Sequence, residues 1–500
     1  MPNAPDPGPR HEGPSRFAAM GLVLAVYFAT RISSLGTLPI FLDEAVHIQW
    51  AERLWEEGRI LRPVGSGRLL AVATYGLALP FEDRLWAARV IAVMAGALTL
   101  VFTMLLSRRL FGARAGLVAG VLYVVSPFAL VYDRLALSDG FLAAALAGVM
   151  LATRVLTDDP RRLGPWAGLV VASTLAIVSK VSALLFLPAV PMAALLLAKD
   201  RRKSFVASAL AVVATLVCAS PMLLYFGANS GEIVSQHLAD PDIPGLTLIA
   251  TLRDISGWLR SYFGIPVLLA GAASFAWLRD GRALWLAGSF VLPLVLFALL
   301  SEPWSARYIL PTLPPFLILI AGGIDAVCAR LTTGRASPAA LALALAISLQ
   351  GLLFDFRLFT DSSSAPFPAD DRHQLVTGWP AGYGVRDAAL RLARETEAAS
   401  AQIFVDTGGT RTLSTSLAVL LARHPRLTLV EGDFATSATR QAIVAAAGKG
   451  TVFAILGPRS PGLDFKSVME GVPVERVAVY ERPGGEWAAS LFRVGVASER

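Results

Sequence analysis

The chain has 500 residues, of which 55% are hydrophobic and 16% charged, with a formal net charge of +7 and two cysteines. Soluble proteins carry about 25% charged residues, so this composition excludes an ordinary soluble enzyme and points to lipid. Nucleic acid is not the partner, because Lys and Arg sit in short clusters between apolar runs; Cys218 and Cys328 fall inside such runs, which excludes a disulfide framework and a cysteine-held metal.

Met1 to Arg16 is rich in Pro and Gly and is expected to be a disordered cytoplasmic N-terminus. The first apolar run follows, and Ala29-Thr30-Arg31 is a poor cleavage site, so the run is expected to stay as an anchor. A spanning helix needs about 20 mostly apolar residues, and about eleven such stretches recur between Phe17 and Phe354. They lie near 17–35, 86–107, 115–132, 138–156, 165–180, 182–198, 205–226, 262–278, 283–300, 308–328 and 337–354. Residues 355–500 then have the composition of a soluble domain. The expected fold is a polytopic α-helical membrane domain over 17–354 with a C-terminal extracytoplasmic α/β domain.

Basic clusters set the orientation. Arg108-Arg109 with Arg114, Arg154 with Arg161-Arg162, Lys199 through Lys203, Arg279 with Arg282, and Arg330 with Arg335 occupy every second connection. All can therefore be cytoplasmic together, which puts the first loop (36–85) and the tail outside a cytoplasmic (inner) membrane.

Four places on that outer side carry chemistry. In the first loop, Val46, Trp50, Leu54 and Trp55 oppose His47, Gln49, Glu52, Arg53 and Glu56, the pattern of an amphipathic helix at a membrane surface. Asp43 and Glu44 open that helix; they suit an N-terminal cap and, equally, a general base for a hydroxyl. After the third apolar run come Asp133, Arg134, Ser138 and Asp139, ionisable groups that are costly beside a membrane unless paired or wetted. Lys180 lies between two apolar runs, as a snorkelling cation or as a counter-ion for lipid phosphate. The run Ser301-Glu302-Pro303-Trp304 leads to Arg307-Tyr308-Ile-Leu-Pro311 and to Pro314-Pro315. Arg307 fits a phosphate clamp or an interfacial anchor with Trp304 and Tyr308, and the prolines can kink the helix and open a cavity. A base beside a phosphate clamp is what sugar transfer from a phospholipid carrier requires.

The segments Asp43-Glu44, Arg134-Leu-Ala-Leu-Ser-Asp139, Ser179-Lys180, Arg307-Tyr308-Ile-Leu-Pro311 and Pro380-Ala-Gly-Tyr-Gly384 resemble the membrane C-type glycosyltransferases. The resemblance is greatest to bacterial relatives of protein O-mannosyltransferase and of the lipid A aminoarabinose transferase. It implies transfer of a sugar from a polyprenyl-phosphate carrier to an envelope acceptor (lipid, polysaccharide or protein), by inverting displacement. It casts Asp43 as base, Glu44 as an orienting residue, and Lys180, Arg307 and Tyr308 as phosphate ligands. Asp139, with Asp133 and Arg134 as competitors, would meet substrate or a divalent metal; no other cofactor is implied. The tail lacks the β-trefoil repeats of eukaryotic mannosyltransferases, which makes protein the less favoured of these acceptors.

The tail reads as alternating helix and strand: a helix over 385–394 and strands over 402–406, 427–430, 451–456, 474–480 and 490–494. Asp406-Thr-Gly-Gly409 follows a strand but lacks the glycine spacing and lysine of a phosphate loop. Two other functions fit a many-span chain: a lipid or glycan flippase, or an envelope assembly protein without catalysis. Against the flippase stand the absence of an internal repeat and the gathering of charges on one face.

Overall fold

The structure, a computed structural model, describes residues 15–33, 35–229, 244–300, 305–331, 336–396, 399–407, 412–457, 464–469, 471–484 and 487–495. Glu302, Trp304, Arg335, Gly408, Gly409 and most of the N-terminal segment therefore lie outside the described residues.

Every predicted apolar segment is helical. Among the described residues, six helices are long and apolar enough to cross a membrane: Arg84–Phe111, Ser138–Asp158, Arg201–Asn229, Leu248–Leu278, Gly281–Leu300 and Ala306–Leu331. The predicted span 337–354 is two helices bent by 61°, Ser337–Ile347 and Leu349–Thr360, and counting that pair as one span gives seven. The remaining segments, such as Ala113–Val124 and Leu163–Ser179, are shorter apolar helices. The helical region thus runs past residue 355, to Thr360.

One helix begins much earlier than its apolar run. Pro244–Leu278 is kinked at Gly264, whose φ of 75° only glycine adopts readily. A Cβ there would also lie 2.5 Å from Gln350 Oε1. The part before the kink carries Thr251, Asp254 and Trp258 among exposed apolar residues. Pro314 and Pro315 stand in the first turn of Leu313–Leu331, where no backbone N–H is needed, after a 3-10 helix over Ala306–Thr312.

Basic connections meet at one end of the bundle. Arg109 Nη1 lies 3.0 Å from Asp158 Oδ2, Arg114 pairs with Asp325, and Arg282 Nη1 donates to the Leu110 carbonyl at 2.6 Å. Along the bundle's side, Leu210, Val213, Val217 and Leu224 are exposed, the surface a lipid-facing helix presents.

The tail is a five-stranded sheet in the order β2-β1-β3-β5-β4, with β1 Ala401–Asp406, β2 Leu427–Gly432, β3 Thr451–Leu456, β4 Val474–Glu481 and β5 Trp487–Val494. β1 pairs parallel with β2 and β3; β5 runs antiparallel to β3 and β4. The strands match the predicted segments because β-rich runs such as Thr451-Val-Phe-Ala-Ile-Leu456 are buried along nearly their whole length, as parallel strands must be.

This sheet is not set apart from the membrane region. Ile40, Ala45, Ile48 and Ala51 of the first loop share one core with Val385, Leu392, Ile403, Leu417 and Leu491. Phe41 and Ala381 form an antiparallel bridge, with Leu42 N donating to Pro380 O at 3.1 Å and Gly382 N to Ile40 O at 2.9 Å. A Cβ on Gly382 would come within 2.3 Å of the Ile40 carbonyl oxygen, so the close approach requires glycine.

Candidate functional site

The first-loop helix, Leu42–Glu57, ends at Gly58 in the left-handed conformation. Its buried side is Glu44, Ala45, His47, Ile48 and Ala51, while Trp55 is exposed. The predicted faces are therefore rotated: His47, assigned to the polar side, is only 1% exposed, because the tail and the helix Leu69–Tyr75 pack where water was expected.

Asp43 and Glu44 part company. Glu44 is fully buried: Arg89 donates to both its oxygens, at 2.8 and 2.7 Å, and the amides of Ala136 and Phe41 donate at 2.8 and 3.0 Å. Its lone pairs are occupied and it is not on the cavity wall, so Glu44 holds the loop rather than a substrate. Asp43, with a side chain 26% exposed, faces a cavity of about 710 Å³. Phe41, Arg68, Arg307, Tyr308, Asp370 and Trp379 are among the other residues that line it.

Arg307 Nη2 lies 2.6 Å from Asp43 Oδ2. Its guanidinium also sits over the rings of Phe41 and Tyr308, and its buried Nε has no acceptor among the described residues. Burial alone would raise the Asp43 carboxyl, but the charges of Arg307, Arg68 and His47 outweigh it and hold the group well below the usual carboxylate range. Arg68, a residue the sequence reading did not single out, has no carboxylate within ion-pair distance among the described residues; its nearest polar contact is His47 Nε2 at 3.4 Å. His47 Nδ1 lies 3.0 Å from the Ala136 carbonyl, which can only accept, so Nδ1 carries the proton. Burial, then the charge of Arg68, pushes this imidazole down to about 4.

Lys180 is not on the wall. Its Nζ lies 2.6 Å from Asp139 Oδ1 and 4.0 Å from the Tyr308 ring centre, so the Lys180–Asp139 pair stands behind Tyr308. Asp133 is elsewhere, inside the bundle: the hydroxyls of Tyr27 and Tyr123 donate to it at 3.1 Å each, and Arg31 is 3.9 Å away. Arg134 is buried, donating to Thr37 Oγ1 at 2.8 Å and stacking on Phe359. Of the predicted site residues, Asp43, Arg307 and Tyr308 line one cavity, Lys180 and Asp139 back it, and Glu44, Asp133 and Arg134 brace the surrounding structure. Among the described residues, no group of three or more His, Cys, Asp or Glu is placed to hold a metal ion. Asp43 and Asp139 each already carry a cation partner.

Asp371 is a further node that the sequence did not mark. It accepts from Tyr132 and Tyr262 hydroxyls at 2.5 and 2.6 Å, from Ser305 Oγ at 2.7 Å and from the Ala306 amide at 3.3 Å. It thereby fixes the backbone just before Arg307. Burial pushes its carboxyl up, against the pull of these four donors. In the tail, Asp406 accepts from the Phe434 amide at 3.1 Å, a turn brace next to the glycines outside the described residues.

Residues 71–225 match the family model of dolichyl-phosphate-mannose-protein mannosyltransferases. No curated protein matches the chain by sequence. The structure is similar to that of ArnT from Cupriavidus metallidurans bound to undecaprenyl phosphate, with a TM-score of 0.61 and 15% identity, covering 96% of this chain and 98% of that one. It is also similar to the Archaeoglobus fulgidus oligosaccharyltransferase in complex with zinc and sulfate, with a TM-score of 0.51 and 13% identity over 94% of this chain and 72% of that one. The same archaeal enzyme, AglB, with an inhibitory peptide and a dolichol-phosphate, gives a TM-score of 0.50 at 13% identity, over 88% of this chain and 69% of that one. The chain shares its fold with ArnT and with the archaeal oligosaccharyltransferase over nearly its whole length.

Proposed function

We propose that this chain transfers a glycosyl group from a polyprenyl-phosphate carrier to a hydroxyl acceptor of the envelope, on the outer face of the cytoplasmic membrane. The observation that carries this reading is the cavity itself, where one carboxylate, Asp43, meets Arg307, Arg68 and Tyr308. Undecaprenyl phosphate in ArnT and dolichol-phosphate in AglB support a lipid phosphate as the donor's leaving group.

The chemistry follows from the charges. The acceptor oxygen attacks the anomeric carbon, the bond from that carbon to the phosphate oxygen breaks, and the configuration inverts. The carrier leaves with the electron pair as a phosphate monoester, and the fixed guanidinium groups of Arg307 and Arg68 stabilise its charge. Asp43 takes the acceptor proton. Paired with Arg307, Asp43 is a weak base. A phosphate arriving on the Arg307 donors draws that charge away and raises the basicity of Asp43 at the moment the donor is in place. Lys180, neutralised by Asp139 behind Tyr308, supports the Tyr308 ring rather than the phosphate.

Asp43→Asn tests the assignment. General-base loss costs about 100-fold or more in turnover, so the variant should leave the carrier-linked sugar accumulating and one envelope glycan missing, as in a gene deletion. Mass spectrometry of lipid-linked sugars and envelope glycans reads both. Full restoration by Asp43→Asn would falsify the base role and leave Asp43 as a first-turn carboxylate only.

A further inference from the structure

The cavity has a second kind of wall, made by segments the sequence reading passed over. Asp254, from the helix ahead of the Gly264 kink, and Asp370, just past the bent helix pair, line it with His373, Gln374 and Trp379. Both carboxylates are partly buried. The Asp370 side chain is oriented: the buried Trp258 indole donates to its Oδ2 at 3.0 Å. Its backbone is also fixed, because the next residue, Asp371, is held by the four donors described above. Among the described residues Asp254 has one cation within ion-pair distance, Arg253 at 3.6 Å, which is largely exposed and offsets little of that charge.

One cavity therefore presents guanidinium groups from one set of elements and carboxylates from another. A ligand that fits both has a phosphate at one end and hydrogen-bond donors at the other. Carboxylates accept short, strong bonds from hydroxyl groups, and an indole beside them suits the C–H face of a sugar ring. The same carboxylates repel an acidic substituent, so the wall selects by exclusion as well as by attraction.

We propose that Asp254 and Asp370 form the glycosyl-recognition wall of this cavity and restrict the transferred sugar to one without an acidic substituent. The proposal rests on the transferase reading above and adds the class of sugar. Sugars that offer hydroxyls and no carboxylate to the wall are favoured; hexuronic acids are disfavoured.

The test uses the full chain in lipid nanodiscs and three probes: sugar-free polyprenyl phosphate, the carrier bearing a neutral hexose, and the carrier bearing a hexuronic acid. Wild type should bind all three through the phosphate and prefer the neutral hexose over the hexuronic acid by about tenfold or more. Asp254→Asn with Asp370→Asn should remove most of that preference while binding sugar-free carrier as wild type does. Gln374→Glu, which adds a carboxylate to the same wall, should sharpen the preference and guards against a misfolded double variant. Equal binding of the two sugars by wild type, with sugar-free carrier still bound, overturns this proposal alone. So does a double variant that shifts only the KM for acceptor, because the wall would then belong to the acceptor. Failure of wild type to bind sugar-free carrier overturns the transferase reading and this proposal with it.

Discussion

Burial beside a guanidinium makes His47 an acid-sensitive point in the first loop. In the folded chain its imidazole is pushed down to about 4, whereas in the unfolded chain it returns to the ordinary value near 6.5. Between those values the unfolded state binds more protons, so stability rises with pH through that window and is lost as pH falls from about 6.5 toward 4. A shift of this size corresponds to about 3 kcal/mol, to order of magnitude. Gln offers the same pattern, an N–H for the Ala136 carbonyl and an oxygen for Arg68, without a proton to gain. His47→Gln should therefore unfold less steeply than wild type as pH drops from about 6.5 to 4, as read by thermal denaturation in detergent. An identical acid slope in the variant rules His47 out as the sensor. Asp43 loses its ionisation only at lower pH, so the two effects separate.

At the scale of elements, the loop that presents Asp43 is set by a buried ion pair rather than by helix propensity. Arg89, from the long helix Arg84–Phe111, reaches the carbonyls of Leu35, Leu38 and Pro39 at 2.5 to 2.9 Å as well as both oxygens of Glu44. Five donors in a planar fork do this; a lysine cannot. Arg89→Lys should lower the unfolding midpoint, because breaking a buried pair costs about 3–5 kcal/mol. It should also reduce transfer, although neither Arg89 nor Glu44 touches the cavity. Wild-type stability with wild-type turnover in this variant would show that the loop is positioned by something else.

Particular residues show why part of the site was legible in the sequence and part was not. Asp43, Arg307 and Tyr308 stand out because a charge or an interfacial aromatic at the end of an apolar run is conspicuous. Glu44 and Asp133 are just as conspicuous, yet they brace the fold, since spacing does not say which carboxylate finds a buried guanidinium or a pair of tyrosines. Asp370 lies in a polar stretch, while Arg68 and Asp254 are charges outside the predicted spans, and only the tertiary fold brings the three to one cavity. The strands of the tail were legible from β-rich runs bounded by turns. The bend in 337–354 was not, because both halves are apolar and the break at Ser348 leaves no gap in hydropathy.

For the whole molecule, the important feature is that tail and first loop are built on one core. Helix Thr412–Leu420 packs on helix Leu42–Glu57, Arg423 Nη2 donates to the Leu79 carbonyl at 3.0 Å, and the Phe41–Ala381 bridge ties the entrance of the tail to Asp43's own turn. A tail that merely guided an acceptor would be separable. Here its removal strips apolar partners from Ala45, Ile48 and Ala51, each of which is completely buried. A chain ending at Gly384 keeps Arg68, Arg307 and the membrane helices but should lose order in the first loop. We expect amide hydrogen exchange across Leu42–Glu57 to quicken by tenfold or more, about 1.4 kcal/mol of lost local stability. Binding of carrier phosphate should weaken with it, since Asp43, Arg68 and Arg307 would no longer share a fixed wall. Unchanged exchange and unchanged carrier binding in the shortened chain would make the tail an independent domain and place the whole of the cavity's order in the membrane helices.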